Sequence, residues 1–273
     1  MLSRLALLIA LSPLISGCII VANVNDPDWW DDSDEITRDI SIDVDRVNFE
    51  ARGTLYVVQG RRNRLRIQGH DQALQHIVVD DRSGALLISQ ETDDFRWWGV
   101  QRPGSEAVFY LELENLSWLR HSGHGEVNLG PLVVNTLSVI SSGHATTNFS
   151  SLISRDLTVR ASDHANIDIE TLDSESAELR VNDHADIFVQ DINVLDLKLG
   201  AADHGDLRLA GTADTAFVSA KDHANIDAGG LESAVVTLST RNHAQVATQA
   251  HELIEIDERD HSSVSWTGNA IQQ

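Results

Sequence analysis

From about residue 120 onward, apolar residues come in pairs two positions apart, and the pairs recur about every 20 residues. One series is Leu137/Val139, Leu157/Val159, Ala177/Leu179, Leu197/Leu199, Ala216/Val218, Val236/Leu238 and Ile254/Ile256. A second is Val127/Leu129, Ile167/Ile169, Ile187/Val189, Leu207/Leu209, Ile226/Ala228 and Val264/Trp266. A single apolar residue then follows at Leu132, Leu152, Leu172, Ile192 and Leu231. A spacing of two is the strand period, with one face buried and one wet. No segment sustains a helical period, and β-branched residues are frequent, which suits strands. Each unit therefore reads as strand, tight turn, strand, second turn. Two short strands cannot bury their apolar face alone. Stacking successive units buries it and pairs the backbone between coils about 4.8 Å apart. The predicted fold is all-β: a single-domain parallel β-helix, or solenoid, with coils of about 20 residues and contacts only between neighbouring units.

The tight turn is marked by histidine: His124, His144, His164, His184, His204, His223, His243 and His261, in steps of 20, 20, 20, 20, 19, 20 and 18 residues. A small residue follows seven of the eight, as a crowded turn requires. Asp163, Asp183, Asp203, Asp222, Asn242 and Asp260 precede the later ones and suit an Asx-type turn. Three readings follow. In the structural one, polar side chains at equivalent turns stack in a row. In the second, the eight histidines with Asp163, Asp183, Asp203 and Asp222 hold Zn²⁺, Cu²⁺ or Ni²⁺, since imidazole and carboxylate suit these ions. A straight row argues against that, because a tetrahedral site needs converging ligands. In the third, the row responds to acid, because protonation sets like charges one coil apart. The structural reading is preferred, and no cofactor is expected.

Residues 37–120 lack the His phrase but keep strand-like runs such as Ile40–Val44, Leu55–Val58, Ile77–Val79 and Val108–Leu111. They are expected to form N-terminal β coils and a cap, since an open solenoid end exposes unpaired strand edges. Residues 121–267 hold the His-marked repeats, with a short tail over 268–273. Asp93–Pro103 interrupts the pattern. There Arg96, Trp97 and Trp98 are candidate ligand-binding residues able to stack on a sugar or a partner, or else to plug one end of the solenoid. Arg61-Arg62-Asn63-Arg64-Leu65-Arg66 is a local basic patch, read as a solvated hairpin, with anchorage of an acidic glycan or lipopolysaccharide phosphate as the alternative.

The first 17 residues are a predicted signal peptide: a positive start, an apolar run over 5–15, then Ser16-Gly17. Ile15-Ser16-Gly17-Cys18 looks like a bacterial lipobox, which makes Cys18, the single cysteine, the expected lipidation site. Residues 18–36 then form a lipidated cysteine and an acidic tether carrying Trp29-Trp30. The absence of Asp after Cys18 favours the outer membrane of a Gram-negative bacterium, with the periplasmic or surface face left open. A net charge of −22 argues against nucleic-acid binding and against docking on anionic lipid.

Ser122-Gly123-His124-Gly125-Glu126-Val127, Ser142-Gly143-His144-Ala145 and the later Asp-His-Ala-Asn/Asp-Ile phrases resemble the bacterial "putative auto-transporter adhesin head GIN domain" family. There a β segment leads into Ser-Gly-Ser-Gly-Asp-Ile repeats. The resemblance spans about residues 37–267 and implies a right-handed parallel β-helix on an exported or surface protein, with no agreed chemistry. This chain departs from the pattern by placing His in the variable slot. The expected function is a cell-envelope lipoprotein, membrane-bound through its N-terminal lipid, presenting a β-helical surface to a glycan or protein partner. Transition-metal binding by the His/Asp column is the first alternative. A polysaccharide lyase or hydrolase is the second, disfavoured because the repeat is nearly unbroken and no Gly-x-Ser-x-Gly motif is present.

Overall fold

The computed structural model describes residues 34–41, 43–91 and 106–273. The signal segment, Cys18, the expected tether as far as residue 33 with Trp29-Trp30, and Arg96, Trp97 and Trp98 lie outside the described residues, whereas residues 34–36, expected in the tether, belong to the strand Asp34–Asp39.

The strands, in chain order, are β1 (Asp34–Asp39), β2 (Arg46–Phe49), β3 (Gly53–Gln59), β4 (Arg64–Gly69), β5 (Ile77–Asp80), β6 (Ala85–Gln90), β7 (Ala107–Leu113), β8 (Trp118–Gly123), β9 (Glu126–Leu129) and β10 (Leu132–Val133). They continue as β11 (Thr136–Gly143), β12 (Thr146–Phe149), β13 (Leu152–Ala161), β14 (Asn166–Val181), β15 (Asp186–Ala201), β16 (Asp206–Lys221), β17 (Asn225–Arg241), β18 (Gln245–Glu258), β19 (Ser263–Thr267) and β20 (Ile271–Gln272). From β8 onward each coil lies parallel on the next, giving a β-solenoid of about 8 turns with roughly 20-residue coils. The apolar columns become interior rows: Leu157 pairs with Ala177, Ala177 with Leu197, Leu197 with Ala216, and Ala216 with Val236. Leu137, Leu157, Leu197 and Val236 are all buried. Each such aliphatic side chain contributes about 1.5–3 kcal/mol when fully removed from water.

The coil has three faces where the sequence predicts two strands. In the coil of β14, Ile167, Ile169, Leu172, Ser174, Ala177, Leu179 and Val181 point inward. Two consecutive residues turn outward at Glu170-Thr171 and again at Glu175-Ser176. The alternation breaks at these corners but the hydrogen-bonded ladder does not, so β14 runs unbroken for 16 residues. One coil is a residue short. The register slips between Val189 and Ile192, and Ile192 faces Gly211. Gly211 has φ +130°, and a Cβ there would lie 2.1 Å from the Ile192 carbonyl oxygen, so only glycine accommodates the missing residue.

At the N-terminal end, stacking order departs from chain order. β2 lies between β6 and β8, and β3 between β7 and β9, all parallel. The segment between β3 and β6 runs the other way: β4 pairs antiparallel with β7 and with β1, and β5 with β6. The chain thus lays one coil, turns back through β4, one helical turn at Asp71–Leu74 and β5, and then inserts β6–β7 between that layer and the first coil. Asn63 fastens the turn. Its Nδ2 donates to the carbonyls of Ser41 and Val44, and its Oδ1 accepts from the Glu114 amide. The basic patch around it is engaged: Arg62 pairs with Glu112 at 3.4 Å, Arg64 with Asp39 at 3.0 Å, and the Arg66 guanidinium lies 4.4 Å from the Tyr110 ring centre. At the other end, Val264 and Trp266 pack partly buried against the core.

Candidate functional site

Two outward features stand out: the histidine row at the turn, and a trough on the face that follows it.

The turn explains its own sequence. The residue before each histidine has positive φ: 101° and 78° at Gly123 and Gly143, then 62°, 58°, 61°, 58°, 55° and 54° at Asp163, Asp183, Asp203, Asp222, Asn242 and Asp260. Glycine tolerates this region freely, and Asn and Asp are the side chains that enter it most readily. Hence Gly in the first two phrases and Asp or Asn afterwards. The following small residue is buried against the preceding coil. This crowding pushes the histidines out, and all eight are exposed.

Their rings lie one above another, with successive centres 4.9, 4.9, 5.3, 5.0, 5.4, 5.2 and 5.3 Å apart. Planes close to parallel, such as 3° between His223 and His243, put the ring nitrogens in rows rather than around a point. Among the described residues no three His, Cys, Asp or Glu side chains are placed to hold a metal ion. The preceding carboxylates serve the turn: Asp163 accepts from the Gly143 amide, and Asp222 from the Asn242 side chain at 2.7 Å. The Asn242 hydrogen bond holds the Asp222 carboxyl below its ordinary range.

The trough comes from side-chain size along one outward row. The register aligns Tyr110, Tyr56, Asn128, Asn148, Asp168, Phe188 and Arg208 on successive coils. Large rings stand at Tyr56 and Phe188, which are 42% and 46% exposed, and short polar side chains lie between them. The result is a hollow of about 610 Å³, with Asn128, Asn148, Asp168, Glu170 and Gln190 along its lining. Four coil steps of about 4.8 Å place the two rings about 19 Å apart. Asn148 Nδ2 donates to Asn128 Oδ1 at 2.8 Å and to Glu126 Oε1 at 3.1 Å, which fixes the floor. Tyr56 stacks on Tyr110 at 5.5 Å, and Arg66 covers the far side of that ring. Partial burial, with the Glu126 carboxylate and Tyr110 adding to it, raises the Tyr56 pKa, so the phenol stays protonated at neutral pH. Rigid aromatic platforms beside amide and carboxylate groups can stack on and hydrogen-bond an elongated polar ligand.

The chain is thus a stacked-coil β-solenoid with a regular turn row and an outward trough. The comparisons agree with this class. The family model described as "Putative auto-transporter adhesin, head GIN domain" matches residues 43–169 and again 157–270, and the chain belongs to that family. No curated protein matches it in sequence. Among solved structures it resembles a "putative adhesin" from Parabacteroides merdae, with TM-score 0.67, 14% identity, and 89% of this chain and 92% of that one covered. A "putative adhesin" from Parabacteroides distasonis gives TM-score 0.63 at 12% identity, covering 88% and 92%. A "putative lipid binding protein" from the same species gives TM-score 0.56 at 14% identity, covering 89% and 97%. At these identities the likeness is one of fold.

Proposed function

We propose that this chain is a non-catalytic cell-envelope lipoprotein, held to the outer membrane through Cys18, whose solenoid makes adhesive contact with a glycan along the Tyr56–Phe188 trough. The observation that carries the reading is the trough itself. Two exposed rings face outward, where a strand of this kind has no packing need for them, and bracket a floor of hydrogen-bonding groups. Sugar rings stack on aromatic faces, and their hydroxyls need the donors and acceptors that Asn128, Asn148, Asp168 and Gln190 offer. Asp168 and Glu170 give the trough an acidic lining, which favours an uncharged saccharide over an anionic one. Membership of an adhesin-like family supports the same use.

The test is binding of neutral polysaccharides to the full-length protein, beside Tyr56→Ala and Phe188→Ala. Loss of one stacking platform is expected to weaken binding about fivefold, with the strand spectrum unchanged. Retained binding in the double variant sends the contact elsewhere on the surface. Metabolic labelling with a radiolabelled fatty acid checks the anchor: wild type is expected to incorporate it and Cys18→Ser is not.

A further inference from the structure

The chain contains two lysines, Lys198 and Lys221, among 42 acidic residues and 18 arginines. Both line the same hollow, on the face that precedes the histidine turn and apart from the trough. Three coils build it. Their registers align Glu178, Lys198 and Phe217 in one outward row and Arg180, Gly200 and Ser219 in the next. Asn182, Ala202 and Lys221 complete the lining or its edge at the turn. Gly200 sits at the centre. Its missing side chain opens a depression of about 230 Å³, rimmed by Arg180, Lys198 and Lys221.

The charges are not fully spent on one another. Glu178 is shared between Arg180 at 2.5 Å and Arg160 at 3.4 Å. Lys221 meets Asp222 at 3.5 Å, and that carboxylate also accepts from Asn242. Lys198 is exposed and has no ion pair or hydrogen bond among the described residues. Among the residues that line the hollow, Arg180, Lys198 and Lys221 stand with one carboxylate, Glu178, so the lining itself is positive on a chain of net charge −22. A guanidinium offers a fork of donors, and ammonium groups are point-charge partners for phosphate. Ser219 and Asn182 add a hydroxyl and an amide at the same rim.

We propose that the depression around Gly200 binds a phosphoryl group or its sulfo analogue, carried on a sugar or on a lipid headgroup, with Arg180, Lys198 and Lys221 supplying the charge. The site does not depend on the glycan reading of the trough. The geometry also provides a plug. A Cβ built on Gly200 meets Arg180 Cγ at 3.4 Å, an ordinary contact, and its φ lies outside the left-handed region. Gly200→Val therefore fills the depression and suits a strand, so the fold survives while the site does not.

The experiment is calorimetric titration of the full-length protein with inorganic phosphate, glucose 6-phosphate, glycerol 3-phosphate and unphosphorylated glucose at physiological ionic strength. Wild type, Gly200→Val and Lys198→Gln/Lys221→Gln are compared, with circular dichroism of each. Saturable binding of the phosphorylated probes with Kd about 1 mM or tighter, absent for glucose and weakened at least about tenfold in both variants, is the expected result. Tighter binding of glucose 6-phosphate assigns the sugar source, and tighter binding of glycerol 3-phosphate the lipid headgroup. No saturable phosphate binding, or binding unchanged in the plugged variant, overturns the proposal.

Discussion

His121 gives the sharpest physical prediction, because it is a histidine on the inside. It follows Leu119 by two residues, so the strand period turns it into the core, where it shares an interior row with Phe49 and Ser141. It is 0% exposed. Its Nδ1 lies 2.9 Å from Thr147 Oγ1, its ring centre lies 5.5 Å from that of Phe49, and Nε2 finds no hydrogen-bond partner among the described residues. Burial without a compensating charge disfavours the imidazolium and lowers the pKa from 6.5 to about 4.

The sign follows from linkage. A lowered folded-state pKa means that the unfolded chain takes up the proton first as pH falls. Stability from the neutral ring is complete above pH 6.5 and is lost progressively down to about 4. At about 1.4 kcal/mol per pH unit, the full loss is roughly 3 kcal/mol, with about 2 kcal/mol gone by pH 5. Urea unfolding followed by far-ultraviolet circular dichroism, at fixed ionic strength from pH 7.5 to 4, measures it against His121→Leu. Leucine has a similar volume, and Thr147 keeps Ser141 at 3.3 Å as a hydroxyl partner. Every other titrating group is common to both proteins, so the difference between their pH profiles isolates His121. The wild type should lose about 2 kcal/mol more than the variant between pH 7 and pH 5. Parallel profiles would refute the reasoning.

Three further outcomes are expected. Asn63→Ala removes three hydrogen bonds at the cap turn and should destabilise by about 2–3 kcal/mol, read as a lower urea midpoint. At the left-handed position Asp183, Val should cost about 1–2 kcal/mol while Gly stays within about 1 kcal/mol of wild type, so the two substitutions separate backbone strain from loss of the carboxylate. Changing His164, His184 and His204 to Asn tests the row directly: calorimetry with Zn²⁺, Cu²⁺ and Ni²⁺ should show no micromolar site lost in the variant, and a site lost there would make the row a metal centre.

Much of the solenoid was legible because its core repeats. Once Leu157, Ala177 and Leu197 fall on a 20-residue period with partners two apart, parallel stacking is the arrangement that buries them all. The exchange of Gly123 and Gly143 for Asp163 and Asp183 also carried a readable signal, a shared backbone conformation, which the structure expresses as positive φ. The coil's third face was not readable, because Glu170-Thr171 and Glu175-Ser176 break the alternation without any turn residue. Nor was the N-terminal order. Alternation in β4 and β6 shows which side faces the core but not whether the neighbour runs parallel, so the insertion of β6–β7 outside the first coil had no local mark. His121 was readable in principle from its spacing to Leu119, which sets both residues on the inward face.

The trough and the Gly200 depression share a cause that bears on how such chains acquire function. Stacking constrains the inward rows to apolar side chains and the turn row to residues that tolerate positive φ, so those positions repeat and carry little individual information. Outward rows are free of that constraint. A departure there, such as Phe188 after Asn128, Asn148 and Asp168, or Gly200 after Arg160 and Arg180, therefore has no structural reason of its own. The histidine row is the most conspicuous repeat in the chain, and what the turn demands of it is the positive-φ residue before each ring and the buried small residue after it. Specific recognition needs unlike groups in one place, and the coils supply those where the outward period fails: two rings around an amide floor on one face, and both lysines with Arg180 around a missing side chain on another.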